Sequence, residues 1–245
     1  MDASLLRHLT AEVDDEHRAA LRTMRDEIGD TLLVPAARAR RSRRALLTGL
    51  GLVSGGVMSA ALSSSASAAD ATTTTAPPKV PSTGDLGLLA WAQSLELAAV
   101  EAYGLASASG KLSKDIATVA SVFQRHHREH AQAIGGLASK SAPGVANKAI
   151  LALFGPKFAA AKDEHELLTL AMGVENATAA TYVGLIAQLD GTNPAALLAS
   201  ILPIEARHAV VLGRALSAPI AAYLPVREGA GDTAGLDPAK YAIEG

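Results

Sequence analysis

The stretches LELAAVEAYG (95–104) and GVENATAATYVG (173–184) carry the same pair, a Glu followed seven residues later by a Tyr: Glu96 with Tyr103, and Glu175 with Tyr182. About thirty residues beyond each Glu comes a second pair at a spacing of three. These are His127 and His130 in FQRHHREHAQAI (123–134), and Glu205 and His208 in LPIEARHAVVLG (202–213). The offsets between the two sets agree: 79 residues from Glu96 to Glu175, and 78 from His127 to Glu205 and from His130 to His208. One carboxylate helix followed by one acid/His-x-x-His helix, used twice, is the layout of a two-metal site inside a four-helix bundle.

Residues three apart share a helix face, with Cβ atoms about 5–6 Å apart. Glu205 and His208 can therefore reach one ion, or the carboxylate can bridge two ions while the imidazole holds one. Glu96 and Glu175 would each add a carboxylate from a facing helix. Tyr103 and Tyr182, two turns on from each Glu, can donate a hydrogen bond to a ligating carboxylate. The alternative is structural polar packing, with Arg125, Arg128 or Arg207 as ion-pair partners. Both Glu96 and Glu175 sit in apolar runs, where an unpaired charge is costly.

Composition narrows the chemistry. Of 245 residues, 49% are hydrophobic and only 3% aromatic, which favours closely packed Ala/Leu helices over a sandwich or barrel. The chain has no cysteine, which excludes thiolate catalysis, iron–sulfur ligation and disulfides. A metal would have to be held by carboxylates and imidazoles, ligands suited to iron, manganese or zinc. The net charge of −2 gives no general attraction to nucleic acid. No phosphate-binding loop and no Gly-x-Ser-x-Gly is present.

Five regions follow along the chain. Residues 1–35 read as a polar leader helix with a loose apolar stripe (Leu6, Leu9, Val13, Ala20, Leu21, Met24, Ile28) ended by Pro35. Residues 36–69 read as an export signal or an anchor. Arg38, Arg40, Arg41, Arg43 and Arg44 precede an apolar run broken by glycines, and Ala66-Ser67-Ala68 has the form of a signal-peptidase site. Residues 70–84 are a Thr/Pro linker, too polar and Pro-rich to pack. The bundle spans 85–217, with helices expected at about 85–109, 114–138, 164–190 and 194–217, the first capped by Thr83 or Asp85. The connection 139–163 is long enough to cross the bundle. The tail 218–245 is expected to be irregular. Because the linker separates the leader from four complete helices, deletion of residues 2–23 is expected to leave export and metal content intact. Met24 is an alternative start.

LAWAQSLELAAVEAYG (89–104) and VFQRHHREHAQAI (122–134) resemble the first two helices of the ferritin-like superfamily, in particular exported bacterial ferritin-like domain proteins. Ser42-Arg43-Arg44-Ala45-Leu46-Leu47 is similar to the twin-arginine export motif, with Leu46 where Phe is common. The resemblance covers about 85–217. It implies a di-iron or di-manganese centre with Glu96 and Glu175 as single-carboxylate ligands, Glu205 and His208 as one E-x-x-H pair, and His130 as the imidazole of the other. His127 stands where a Glu is expected, leaving three carboxylates and three imidazoles. An imidazole does not bridge ions as a carboxylate does, and one negative charge is lost. His126 and Glu129 are substitutes, although Glu129 points about 100° away from His130 around the helix.

The expected function is that of an exported, metal-binding bundle for iron handling or oxidant and peroxide chemistry. Di-iron oxidoreductase or ferroxidase-like activity is open. The alternative is a degenerate, metal-free envelope protein that acts through its surface. Expected partners are metal ions and the twin-arginine export machinery, with a homodimer as a further option, no nucleic acid, and membrane contact only through the signal segment. The expected location is the periplasm, cell envelope or exterior, anchored if the signal is uncleaved.

N-terminal sequencing of the exported protein should give a start near Ala69, and Arg43→Lys with Arg44→Lys should leave precursor in the cytoplasm. A start well upstream would mean an uncleaved anchor.

Overall fold

The computed structural model describes residues 2–32, 83–223 and 235–243. Among them the chain is all-α. The helices are α1 (Ala3–Leu32), α2 (Thr83–Ala108), α3 (Lys114–Ala138), α4 (Lys148–Ala160), α5 (Glu164–Ile186) and α6 (Thr192–Ala215), with 3-10 turns at Ser139–Ser141 and Ile220–Tyr223. The arginine-rich segment, Ala66-Ser67-Ala68 and the linker up to residue 82 lie outside the described residues.

Helices α2, α3, α5 and α6 form the bundle. Short connections at 109–113 and 187–191 make α2/α3 and α5/α6 antiparallel neighbours, and the pairs meet through α2 against α5 and α3 against α6. Small residues let the backbones approach. Ala98, Ala99 and Ala102 on α2 and Ala177, Ala179 and Ala180 on α5 are buried, and Leu95, Phe123, Ile134, Leu197, Leu198 and Ile201 fill the space between.

The starts of these helices follow local chemistry. Asp163 accepts from the Glu166 N–H at 2.9 Å while the Glu166 carboxylate takes the Lys162 N–H at 2.8 Å, two otherwise orphaned donors satisfied together at the head of α5. Asn147 caps α4 by accepting from the Ile150 N–H at 3.1 Å. Ser113 precedes α3 in an extended conformation without a side-chain cap bond.

Four expectations are revised or extended. The crossover 139–163 carries a helix of its own, α4, which packs on α2 and α5 and runs through Gly155-Pro156. Pro156 lies inside it, at the expense of one backbone bond. Asp85 does not cap its own helix. It is buried, and its carboxylate accepts the Asp190 and Gly191 N–H groups at 2.8 and 3.0 Å, tying the α5–α6 loop to the start of α2. The tail is irregular at 235–243 yet fastened to the bundle: the Tyr241 carbonyl accepts from Trp91 Nε1 at 2.6 Å and Asn147 Nδ2 at 3.0 Å.

The largest revision concerns the leader. Helix α1 is not separate from the bundle but packs against both α3 and α6. It buries Leu6, Thr10, Val13, His17 and Met24 along one face. Around that seam, Arg125 reaches Asp14 at 2.5 Å and Arg207 reaches Glu16 at 2.5 Å. An exposed pair such as Arg207–Glu16 contributes little, about 0–1 kcal/mol, while Arg125–Asp14 is partly buried. The buried apolar side chains and the buried His17 are what hold the helix. These contacts correct the expectation that the linker keeps residues 2–23 apart from the bundle.

Among the described residues α6 is long and apolar enough to cross a membrane by length and composition. It is half buried as a bundle helix, with Glu205 and His208 fully enclosed.

Asp85→Ala should leave two backbone N–H groups without their acceptor. Denaturant titration should show a loss of about 2–3 kcal/mol, with Asp85→Asn intermediate because it keeps one acceptor.

Candidate metal centre

Each bundle helix contributes to one enclosed polar cluster. Glu96 comes from α2, His127 and His130 from α3, Glu175 from α5, and Glu205 and His208 from α6, and none is more than 1% exposed. All six residues singled out in the sequence therefore converge. They fall into two groups of four, Glu96, His127, His130 and Glu205, and His127, Glu175, Glu205 and His208. Within each group one donor atom per residue lies within 4.8 Å of all the others. Glu205 and His127 belong to both groups.

The two repeats are related by an approximate two-fold pattern. His130 Nδ1 lies 2.7 Å from Glu205 Oε1 and 3.6 Å from Glu96 Oε1. His208 Nδ1 lies 3.2 Å from Glu175 Oε2 and 3.3 Å from Glu205 Oε2. His127, the counterpart of Glu205, spans the middle: its Nδ1 is 2.7 Å from Glu96 Oε2 and its Nε2 is 3.2 Å from Glu175 Oε1. The tyrosines cross over. Tyr103 Oη donates to Glu175 and Tyr182 Oη donates to Glu96, so each serves the carboxylate of the other repeat. The sequence suggested that a Tyr bonds a ligating carboxylate, but its spacing could not say which one.

The arginines offered as ion-pair partners do not enter the cluster. Arg125 pairs with Asp14 and Glu129, and Arg207 pairs with Glu16. The imidazoles supply the compensating charge instead. Burial opposes the charge of His130, but Glu96 and Glu205 outweigh it and hold the group up at about 9. Burial likewise opposes His127, and Glu205 and Glu175 hold it well above the ordinary histidine range. His208 is raised against its burial by Glu175. In return Glu96 is depressed to about 2, its burial outweighed by His130 and His127. Both tyrosines are pushed well up by burial and by the adjacent carboxylates, and so stay protonated donors.

A second layer of histidine lies outside the first, and sequence reasoning did not find it. His208 Nε2 meets His126 Nδ1 at 3.0 Å, and His126 Nε2 meets Asp14 at 2.9 Å. His130 Nε2 meets His17 Nδ1 at 3.2 Å, and His17 Nε2 meets Glu129 at 2.6 Å. His17 and His126 stack, with ring centroids 3.9 Å apart. Burial first, and then the neighbouring imidazoles, lower both: His17 to about 4, and His126 further. His126 and Glu129, the substitute ligands the sequence offers, both belong to this outer layer. A signal for His17 was present: it fills the gap at position 17 in the apolar stripe through Val13 and Met24.

The residues fit a metal. The donors are oxygen and nitrogen only. His130 Nδ1 and both Glu205 oxygens are buried without a hydrogen-bond partner despite their close neighbours, so donor atoms face the centre unsatisfied. Ligands of one ion sit at most about 4.4 Å apart, twice a bond of about 2.2 Å. The 4.8 Å spread is close to that limit.

A four-helix bundle with carboxylates and imidazoles from all four helices meeting in its core is an arrangement compatible with a metal site. The sequence model of the ferritin-like domain family matches residues 84–218, more than half of the chain, and the chain belongs to that family. Neither the curated proteins nor the solved structures include a match. Helix α1 lies outside the matched segment.

The metal-free chain should have a bounded stability optimum. His130, raised from 6.5 to about 9, contributes stability that is complete below pH 6.5 and lost as pH rises through 9. Glu96, lowered from 4.5 to about 2, contributes stability that is complete above pH 4.5 and lost as pH falls through 2. His17, lowered from 6.5 to about 4, contributes stability that is complete above pH 6.5 and lost as pH falls through 4, so calorimetry in chelator should place the highest melting temperature near pH 6.5. A melting temperature that keeps climbing to pH 9 would contradict this balance.

Proposed function

We propose that this chain is an exported ferritin-like metal-binding protein whose bundle core holds two ions, iron or manganese, for iron handling or for chemistry on an oxidant such as peroxide. The observation that carries the reading is the pair of enclosed four-residue groups sharing Glu205, with unpartnered Glu205 oxygens and His130 Nδ1 turned inward. Glu96, His130 and Glu205 would hold one ion, and Glu175, His208 and Glu205 the other, with His127 beside both. A redox-active pair bound there supplies electron transfer to or from O₂, peroxide or ferrous iron.

The chain's own residues have definite tasks in this reading. Tyr182 and Tyr103 fix Glu96 and Glu175 by donating to them. Their hydroxyls also offset charge that metal binding leaves on the carboxylates. His130 and His208 release a proton from Nδ1 as an ion is taken up, so uptake strengthens as pH rises. Burial of all six side chains keeps bulk water out of the core.

Export is supported by Arg43-Arg44, the weak apolar run after them and Ala66-Ser67-Ala68. Twin-arginine export, as the resemblance implies, carries proteins already folded with their cofactor, so a metal could be loaded before the chain leaves the cytoplasm.

One observation favours a second reading, a metal-free bundle acting through its surface. His127 is bonded on both nitrogens, to Glu96 and to Glu175, and three imidazoles facing three carboxylates can balance charge with protons alone. The two readings separate by metal analysis of untagged protein.

In the first reading, purified chain takes up iron or manganese, and a free metal concentration of 100 times Kd adds about 2.7 kcal/mol of stability. Glu175→Gln should abolish most uptake, and His127→Glu should raise the number of ions bound per chain. A parent chain that takes up neither metal and melts unchanged in their presence supports the second reading.

A further inference from the structure

The outer histidines hang on a helix that the family match does not include. Asp14 and His17 belong to α1; His17 meets the inner His130 directly, and Asp14 reaches the inner His208 through His126. His17 is fully buried, and Asp14 is partly buried, with a side chain 14% exposed. Neither is placed there by the bundle's own sequence repeat.

The hydrogen bonds define what these contacts do. In each chain a carboxylate accepts from the outer imidazole, which leaves that ring's other nitrogen free to accept. Glu129 accepts from His17 Nε2, so His17 Nδ1 accepts from His130 Nε2. Asp14 accepts from His126 Nε2, so His126 Nδ1 accepts from His208 Nε2. Both inner rings are thereby fixed as Nε2–H tautomers or as fully protonated rings, with Nδ1 toward the carboxylates. That is the orientation a ligating histidine needs, since its far N–H must find an acceptor that locks the ring. Arg125 ties the two chains together by bonding both Asp14, at 2.5 Å, and Glu129, at 3.3 Å.

We propose that helix α1 is an outer wall of the metal centre, in which His17 and Asp14 are positioning residues that orient His130 and His208 and so set how tightly metal is retained. This rests on the metal-binding reading above. Such partners typically change metal affinity by 10–100-fold when removed. If the chain is cut after Ala68, the wall is severed from the bundle's backbone, so retention depends on whether α1 stays docked.

The test uses the full chain loaded with Co(II) and follows visible absorption during release to excess chelator. His17→Phe keeps a ring against His126 but has no nitrogen for His130. His17→Asn returns a polar atom near the place of Nδ1. Arg7→Ala removes an exposed ion pair of the same helix with Asp115, at 3.4 Å, and serves as the control. The expected result is release about 10–100-fold faster, with a shifted Co(II) spectrum, in His17→Phe and Asp14→Ala. His17→Asn should recover much of the retention, and Arg7→Ala should match the parent. Parent-like release and spectrum in His17→Phe overturn this inference and leave the metal reading standing. Equal loss in His17→Asn and His17→Phe also overturns it, because it points to helix packing rather than orientation. A parent chain that binds no Co(II) overturns both readings.

Discussion

Three carboxylates enclosed in an Ala/Leu-rich bundle are the constraint from which the rest of this structure follows. Glu96, Glu175 and Glu205 are fully buried within a few ångströms of shared partners. Isolated charges in such a place would cost many kcal/mol, and like charges side by side would cost more. The protein meets this with groups that hold positive charge or donate hydrogen bonds. Three imidazoles lie among the acids, and two tyrosines donate to Glu175 and Glu96. A bound metal ion would answer the same demand with concentrated positive charge, which is why the site can be read with metal or with protons.

The substitution of an imidazole at His127 sits at the balance point. Its two-fold counterpart is Glu205, whose oxygens lie at ion-pair distance from His130 and His208 but form no hydrogen bond, whereas both nitrogens of His127 are hydrogen-bonded. The asymmetry lowers the negative charge at the centre. The same acids that could hold a second ion are the ones His127 already neutralises. A metal ion binding here would therefore have to compete with the internal cation.

Compensation does not stop at the inner ring. His130 and His208 each need an acceptor for the outer nitrogen, and each acceptor is a histidine anchored by a carboxylate nearer the surface. Half of that outer layer comes from α1. Burial of His17 among Leu6, Val13 and Met24 couples the packing of the first helix to the electrostatics of the core. A polar leader and a buried centre, far apart in sequence, become one structure.

The all-α bundle and its six central side chains were legible in the sequence. Helical periodicity is local, and a Glu inside an apolar run has few alternatives to an enclosed, compensated site. Glu96 and Glu175, with their tyrosines and the two three-residue pairs, repeat at near-constant offsets, and such a repeat survives folding unchanged. Three things were decided only by tertiary packing. Tyr103 serves Glu175 and Tyr182 serves Glu96, because two turns along a helix carry a side chain across to its neighbour's carboxylate rather than back to its own. Asp85 secures a loop about a hundred residues away instead of capping its helix. His17 joins the centre 113 residues from His130. The sequence could mark positions 10 and 17 as lying on the apolar stripe of α1, but what a stripe packs against is a property of the whole chain. The long-range contact between α1, α3 and α6 is paid for by burial gathered from all three, and no local pattern records that sum.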